Sequence, residues 1–67
     1  MGYSQDRIMD LLSEQGPLTA VQVAETLGMR RPNVWRMLNS LSKYRMVQRI
    51  PCPRQPDGCT VVWSVTP

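Results

Sequence analysis

Apolar side chains recur along the chain with two different periods, and the change of period divides it. From residue 8 to residue 41 the spacing is helical. Ile8, Leu11 and Leu12 fall at i, i+3, i+4, and Ala20, Val23, Ala24 and Leu27 form a second stripe of small and medium groups. Val34, Leu38 and Leu41 make a third at i, i+4, i+7, flanked by Met37. Beyond them the spacing shortens. "MVQRI" (46–50) and "CTVVWSV" (59–65) are rich in β-branched and aromatic residues and predict two strands.

Capping signals set the boundaries. Ser4 reads as the first N-cap, with Tyr3 and Ile8 placed to form a hydrophobic staple, and Gly16-Pro17 ends that helix. Thr19 with Gln22 three residues on is a capping box, Leu18 and Val23 supply its staple, and Gly28 closes the second helix. Met29, Arg30 and Arg31 connect to a third helix with Pro32 at its first position. The helices are thus expected over about 4–15, 20–27 and 32–44, and a hairpin over about 46–65. Its loop, "PCPRQPDG", holds three prolines and an Asp-Gly, and its tip carries Arg54 and Gln55. Val61, Trp63 and Val65 alternate toward one face, which makes Trp63 the core residue that closes the hairpin over the helices. The fold class is α+β, one domain spanning 1–67.

Size and composition narrow the chemistry. A chain of 67 residues buries only about 60% of its unfolded surface, so its core is thin and a deep enclosed active site is not expected. No apolar run approaches the ~20 residues of a membrane span, and the start lacks a signal-peptide layout. Two cysteines fall far short of a disulfide scaffold, so a cytoplasmic setting is expected. Histidine is absent, and neither a nucleophile–base pair nor a metal-ligand set can be assembled. An enzyme, a metal site and a cofactor are therefore not expected.

Charge is distributed unevenly. Residues 1–29 hold four acids and one basic side chain, whereas residues 30–54 hold seven basic side chains and no acid. Asp6, Asp10 and Glu14 at i, i+4, i+8 read as a solvated acidic face. The basic block is the footprint of a nucleic-acid partner. Two of its arginines, Arg30 and Arg31, stand at the start of the third helix, where cations oppose the macrodipole and no hydroxyl or Asx side chain supplies a cap. That arrangement is costly for stability and sensible for binding an anion.

A helix, a helix pair with a short turn and a hairpin add up to a winged helix-turn-helix. The run "GPLTAVQVAETLGMRRPNVWRMLNSLSKYRMVQRI" resembles that of small bacterial and archaeal transcription regulators of the MarR/ArsR-like kind. It shares Leu-Thr, an Ala-centred helix, Leu-Gly, a short turn, a Val-x-Arg-x-Leu helix and a first strand ending in Val-x-Arg, and "TVVWSVT" is similar to the strand that returns from the wing. The resemblance covers roughly 4–66 and implies double-stranded DNA as partner, with the third helix in the major groove and the wing on the backbone or in the minor groove. Arg36 and Asn39 are then the side chains suited to base edges. Arg30, Arg31, Lys43 and Arg54 suit phosphates. Asn33 and Ser40 share the outward side. Trp35, turned about 100° from core residue Val34, is expected to point away from the core, against a sugar or a thymine methyl or else against the turn before its helix. Arg30 or Arg31 stands where that family usually has serine or threonine.

Two other classes compete. Winged helices also serve as protein-interaction modules, for which an exposed Trp35 suits a hot spot. Z-DNA-binding domains are similar in size and frame, but place Lys, Asn and Tyr where this chain has Arg31, Trp35 and Asn39; Trp63 matches their wing tryptophan. Cys52 and Cys59 flank the wing loop. The favoured reading is two free thiols, the alternative a clasp across the hairpin. Some small winged-helix proteins carry an iron–sulfur cluster on a cysteine-rich wing, but a cluster usually takes four thiolates, so two would need a second chain. A monomer or weak homodimer is expected.

Overall fold

The computed structural model describes residues 3–67, with side chains from residue 5 onward. Three helices, α1 (Tyr3–Gln15), α2 (Ala20–Leu27) and α3 (Arg31–Lys43), are followed by strands β1 (Val47–Pro51) and β2 (Val61–Val65). The order and type of elements are those of a winged helix-turn-helix. α1 begins at Tyr3, one residue before the expected start, and the side chains invoked for its cap and staple, Tyr3 and Ser4, lie outside the described residues.

α2 is bounded by its own chemistry. Thr19 Oγ1 accepts the Gln22 N–H at 3.1 Å and the Gln22 Oε1 accepts the Thr19 N–H at 2.9 Å, which completes the capping box. Gly28 ends the helix at φ 65°, a left-handed conformation that glycine adopts without a Cβ penalty. α3 starts differently. Arg30 is its N-cap and makes no side-chain cap hydrogen bond, Arg31 is the first helical residue, and Pro32 is therefore second, not first. Proline at that place removes one backbone donor that would otherwise lack a partner.

The far end of α3 also departs from expectation. The helix stops at Lys43 with Tyr44 as C-cap. Arg45 N–H then bonds the Ser42 carbonyl at 3.0 Å and Met46 N–H the Leu41 carbonyl at 2.9 Å. This pair of bonds is a Schellman motif with Arg45, at φ 61°, in the left-handed position usually given to glycine. Because Met46 is used to close the helix, β1 begins one residue later than the pattern suggests. β2 begins at Val61, not Cys59, because the Cys59 N–H is held by the Asp57 side chain instead of a ladder partner.

The strands pair antiparallel with Val47 opposite Val65 and Arg49 opposite Trp63. A further bridge ties Leu18, just before α2, to the outer edge of β2: Leu18 N–H to the Trp63 carbonyl at 3.1 Å, and Trp63 N–H to the Leu18 carbonyl at 2.7 Å. β2 is thus flanked on both sides. Trp63, fully buried, packs among Ile8, Leu11 and Leu12 of α1, Val23 of α2, Val34, Leu38 and Leu41 of α3, and Val47. Its indole N–H has no partner among the described residues, a cost of about 1–3 kcal/mol. Burying ~200 Å² of ring at ~25 cal/mol per Å² contributes about 5 kcal/mol and outweighs it.

An L-residue in the left-handed region is strained by about 1–2 kcal/mol, and Arg45 is exposed. Arg45→Gly is expected to raise stability by about 0.5–1 kcal/mol, the strain relieved less the added chain entropy of glycine. Urea unfolding measures it; an unchanged or lower midpoint would contradict the Schellman assignment.

Candidate nucleic-acid interface

α3 packs Val34, Leu38 and Leu41 inward, each at most 2% exposed. The opposite side follows from the 3.6-residue period. Asn33, Arg36, Asn39 and Lys43 are exposed there and Ser40 half-buried, with Arg30 and Arg31 exposed at the helix start. Arg36, Asn39, Ser40 and Lys43 line one shallow concavity of about 330 Å³ together with Tyr44. Tyr44, 74% exposed, is the residue of this surface that the sequence reading omitted. Tyr44 is the C-cap, past the last helical residue, so the periodicity of α3 does not specify it. Arg54 is exposed on the wing loop, on a different element from the α3 group.

Trp35 stands apart from these residues. It is 41% exposed, and its ring meets that of Trp63 at 90° with centroids 5.7 Å apart, the edge-to-face geometry that aromatic quadrupoles favour. Trp35 is turned away from the Val34–Leu38–Leu41 stripe and exposed, as its place on the helix predicts, and the wing folds back to meet its ring. A groove of about 270 Å³ runs between Trp35 and Ala20 on the helices and residues 58–61 of the wing, with Trp63 at its wall. The Arg49 guanidinium covers the Trp63 ring, 5.5 Å from its centroid, a cation–π contact across the pair that places these residues opposite each other.

The wing loop is folded on itself and onto α2. Asp57 Oδ1 accepts the Cys59 N–H at 3.0 Å, Gly58 takes φ 82°, and its N–H bonds the Gln55 carbonyl at 3.1 Å. Asp57 Oδ2 accepts the hydroxyl of Thr19 at 2.5 Å. These donors, the Thr19 hydroxyl first, hold the Asp57 carboxyl below its ordinary value. A lowered carboxylate adds stability that is complete above its unfolded value and lost as pH falls through the folded one, so these bonds are intact throughout the neutral range.

Both cysteines are free and half-buried. Cys52 N–H bonds the Thr60 carbonyl at 2.8 Å, which sets Cys52 opposite Thr60. Cys59, one residue off that register, lines the Trp35 groove, and Cys52 does not. Both thiols being free, no bond joins them across the hairpin.

Residues 7–51 match the model of the IclR helix-turn-helix domain. A probable Fe–S-dependent transcriptional repressor of Salmonella typhimurium is 38% identical over 53 residues, covering 79% of this chain and 65% of that protein. A variant of ZitR from Lactococcus lactis, a zinc-responsive MarR family member, superposes with TM-score 0.80 at 28% identity, over 96% of this chain and 42% of that one. The Zalpha domain of Carassius auratus PKZ, solved with Z-DNA, superposes with TM-score 0.77 over 94% of this chain and 92% of that one, at 22% identity, a likeness of fold alone. The chain spans 65% of the length of the curated relatives it matches, less than two-thirds, and less than half of ZitR.

The Salmonella relative is named for an iron–sulfur cluster, so the wing thiols bear on whether this chain fits one. Such clusters are held by four protein ligands, usually thiolates. This wing offers two, and among the described residues no group of three or more Cys, His, Asp or Glu could hold a metal ion. The residues present do not fit a cluster.

The two tryptophans separate in energy. Trp63→Ala is expected to cost about 3–5 kcal/mol, as for a large buried ring, whereas Trp35→Ala should lose about 0.5–1.5 kcal/mol, the worth of an edge-to-face pair beyond its area. Thermal or urea unfolding of both variants checks this; equal losses would place Trp35 in the core.

Proposed function

Because the chain belongs to the IclR helix-turn-helix domain family, we propose that it is the duplex-DNA-reading module of a transcription regulator. In this reading α3 enters the major groove and the wing lies on the backbone or in the minor groove. The observation that carries it is the charge of residues 30–54. Seven cations without an acid run from the uncapped start of α3 along that helix, through the turn after it and into the wing. A helix N-terminus is an anion site through its unbonded N–H groups and dipole, and here no side chain of Arg30 competes for those groups.

Roles follow from chemistry. Arg36 suits a bidentate contact to guanine and Asn39 to adenine, from neighbouring turns of α3. Arg30, Arg31, Lys43 and Arg54 act on phosphates and set position without reading sequence. Asn33 and Ser40 lie beside them with short polar side chains. Trp35 offers the exposed part of its ring to a sugar or a thymine methyl. The Salmonella relative is named as a transcriptional repressor, and no helix among the described residues is long and apolar enough to cross a membrane. The module acts in the cytoplasm as a monomer or weak homodimer.

Affinity for a random duplex should fall steeply with salt, by roughly 0.9 in log–log slope for each phosphate neutralised. Arg31→Ala or Arg54→Ala should flatten that slope by about one such increment, whereas Arg36→Ala should relax preference at one base position by about 1–3 kcal/mol. A gel-shift series at low and physiological salt tests the set. Affinity that is flat with salt would contradict DNA binding and favour an acidic protein as partner.

A further inference from the structure

Asp57 is the only acidic residue after Glu25, placed in the half of the chain that otherwise carries only positive charge. A carboxylate there opposes the approach of a polyanion, so its position calls for a structural use. The use is visible in its contacts. Across 38 residues of sequence, Oδ2 takes the hydroxyl proton of Thr19 at 2.5 Å, while Oδ1 takes the Cys59 N–H at 3.0 Å.

Thr19 is an immobile anchor. It is fully buried, the sole buried polar residue described. Its oxygen is already the acceptor for Gln22 N–H, and its neighbour Leu18 is bridged to Trp63. A hydroxyl has one proton to donate, and this one goes to the wing. The carboxylate also sits at the N-terminus of α2, where the helix dipole favours a negative group. At the other end of the link, Gly58 in a left-handed turn joins Asp57 to Gln55, beside Arg54.

We propose that Asp57 is a positioning residue for DNA binding: through Thr19 it latches the wing loop to the start of α2 and so presents Arg54 at a fixed place relative to α3. A loop held in its bound shape before DNA arrives does not lose that conformational freedom on binding. The latch rests on the DNA-binding reading for its purpose, but not for its existence.

The test uses a prediction of opposite sign to simple electrostatics. Asp57→Ala removes an acid, so charge alone predicts tighter binding to duplex. The latch predicts roughly 3- to 30-fold weaker binding of the full chain to a random 20-base-pair duplex, from the ordering cost returned to the loop. Asp57→Asn, whose carbonyl still accepts the Thr19 hydroxyl, should fall between, and Asp6→Asn, on the far acidic face of α1, should bind no more weakly than the parent. In parallel, trypsin should cut Arg54–Gln55 of Asp57→Ala several-fold faster relative to Arg49–Ile50 inside β1. Binding that is unchanged or tighter overturns the proposal, whatever the cleavage ratio. A parent chain that binds no duplex would overturn the DNA reading instead, and the cleavage ratio would then decide whether the latch exists.

Discussion

The pairing of Leu18 with Trp63 is the constraint from which the rest of the geometry follows. Two backbone hydrogen bonds join the residue before α2 to the central position of β2, and the indole of the same tryptophan fills the space between the hairpin and three helices. A two-stranded hairpin is marginal by itself. Here it is fixed at its base by a third, one-residue strand and by the largest side chain of the core. The wing and the helix-turn-helix therefore behave as one body. Arg49 over the ring and Trp35 at right angles to it extend that body to the surface.

On this base the two helices of the pair are built for different ends. α2 has a complete capping box, a left-handed glycine stop and a carboxylate at its positive end, all of which stabilise it. α3 begins with two arginines, no side-chain cap and a proline at its second position, and it ends in a strained arginine. The stabilising devices lie in the scaffold helix, and the concessions lie in the helix that faces the proposed ligand. Such a division is expected where an N-terminus is kept open for an anion.

Local features were the legible ones. Thr19, Gln22 and Gly28 act within one helix, so their roles could be read from spacing alone, and the stripes at Ile8, Val23 and Leu38 gave the core. What escaped involves residues far apart in sequence or an unusual occupant. Arg45 holds a place where glycine is the usual signal. The Asp57–Thr19 bond joins residues whose separation gives no periodic cue. Trp35 was assigned the right angle on its helix, but its partner arrives from β2. Tyr44 lies just past the helix end, where a periodic stripe no longer specifies direction. For the interface, residue type and charge proposed the α3 and wing candidates, and the fold gathers Arg36, Asn39, Ser40 and Lys43 into one concavity while setting Trp35 in a separate groove.

The central claim is that one rigid face, made of the start and outer side of α3 with the wing tip, receives duplex DNA. Amide shift mapping of the labelled chain during titration with a duplex tests it most directly. The largest changes are expected at residues 30–43 and 54–57, with the α1 face bearing Asp6, Asp10 and Glu14 unmoved. Changes centred on α1, or confined to the Trp35 groove with α3 silent at Arg36 and Asn39, would contradict it.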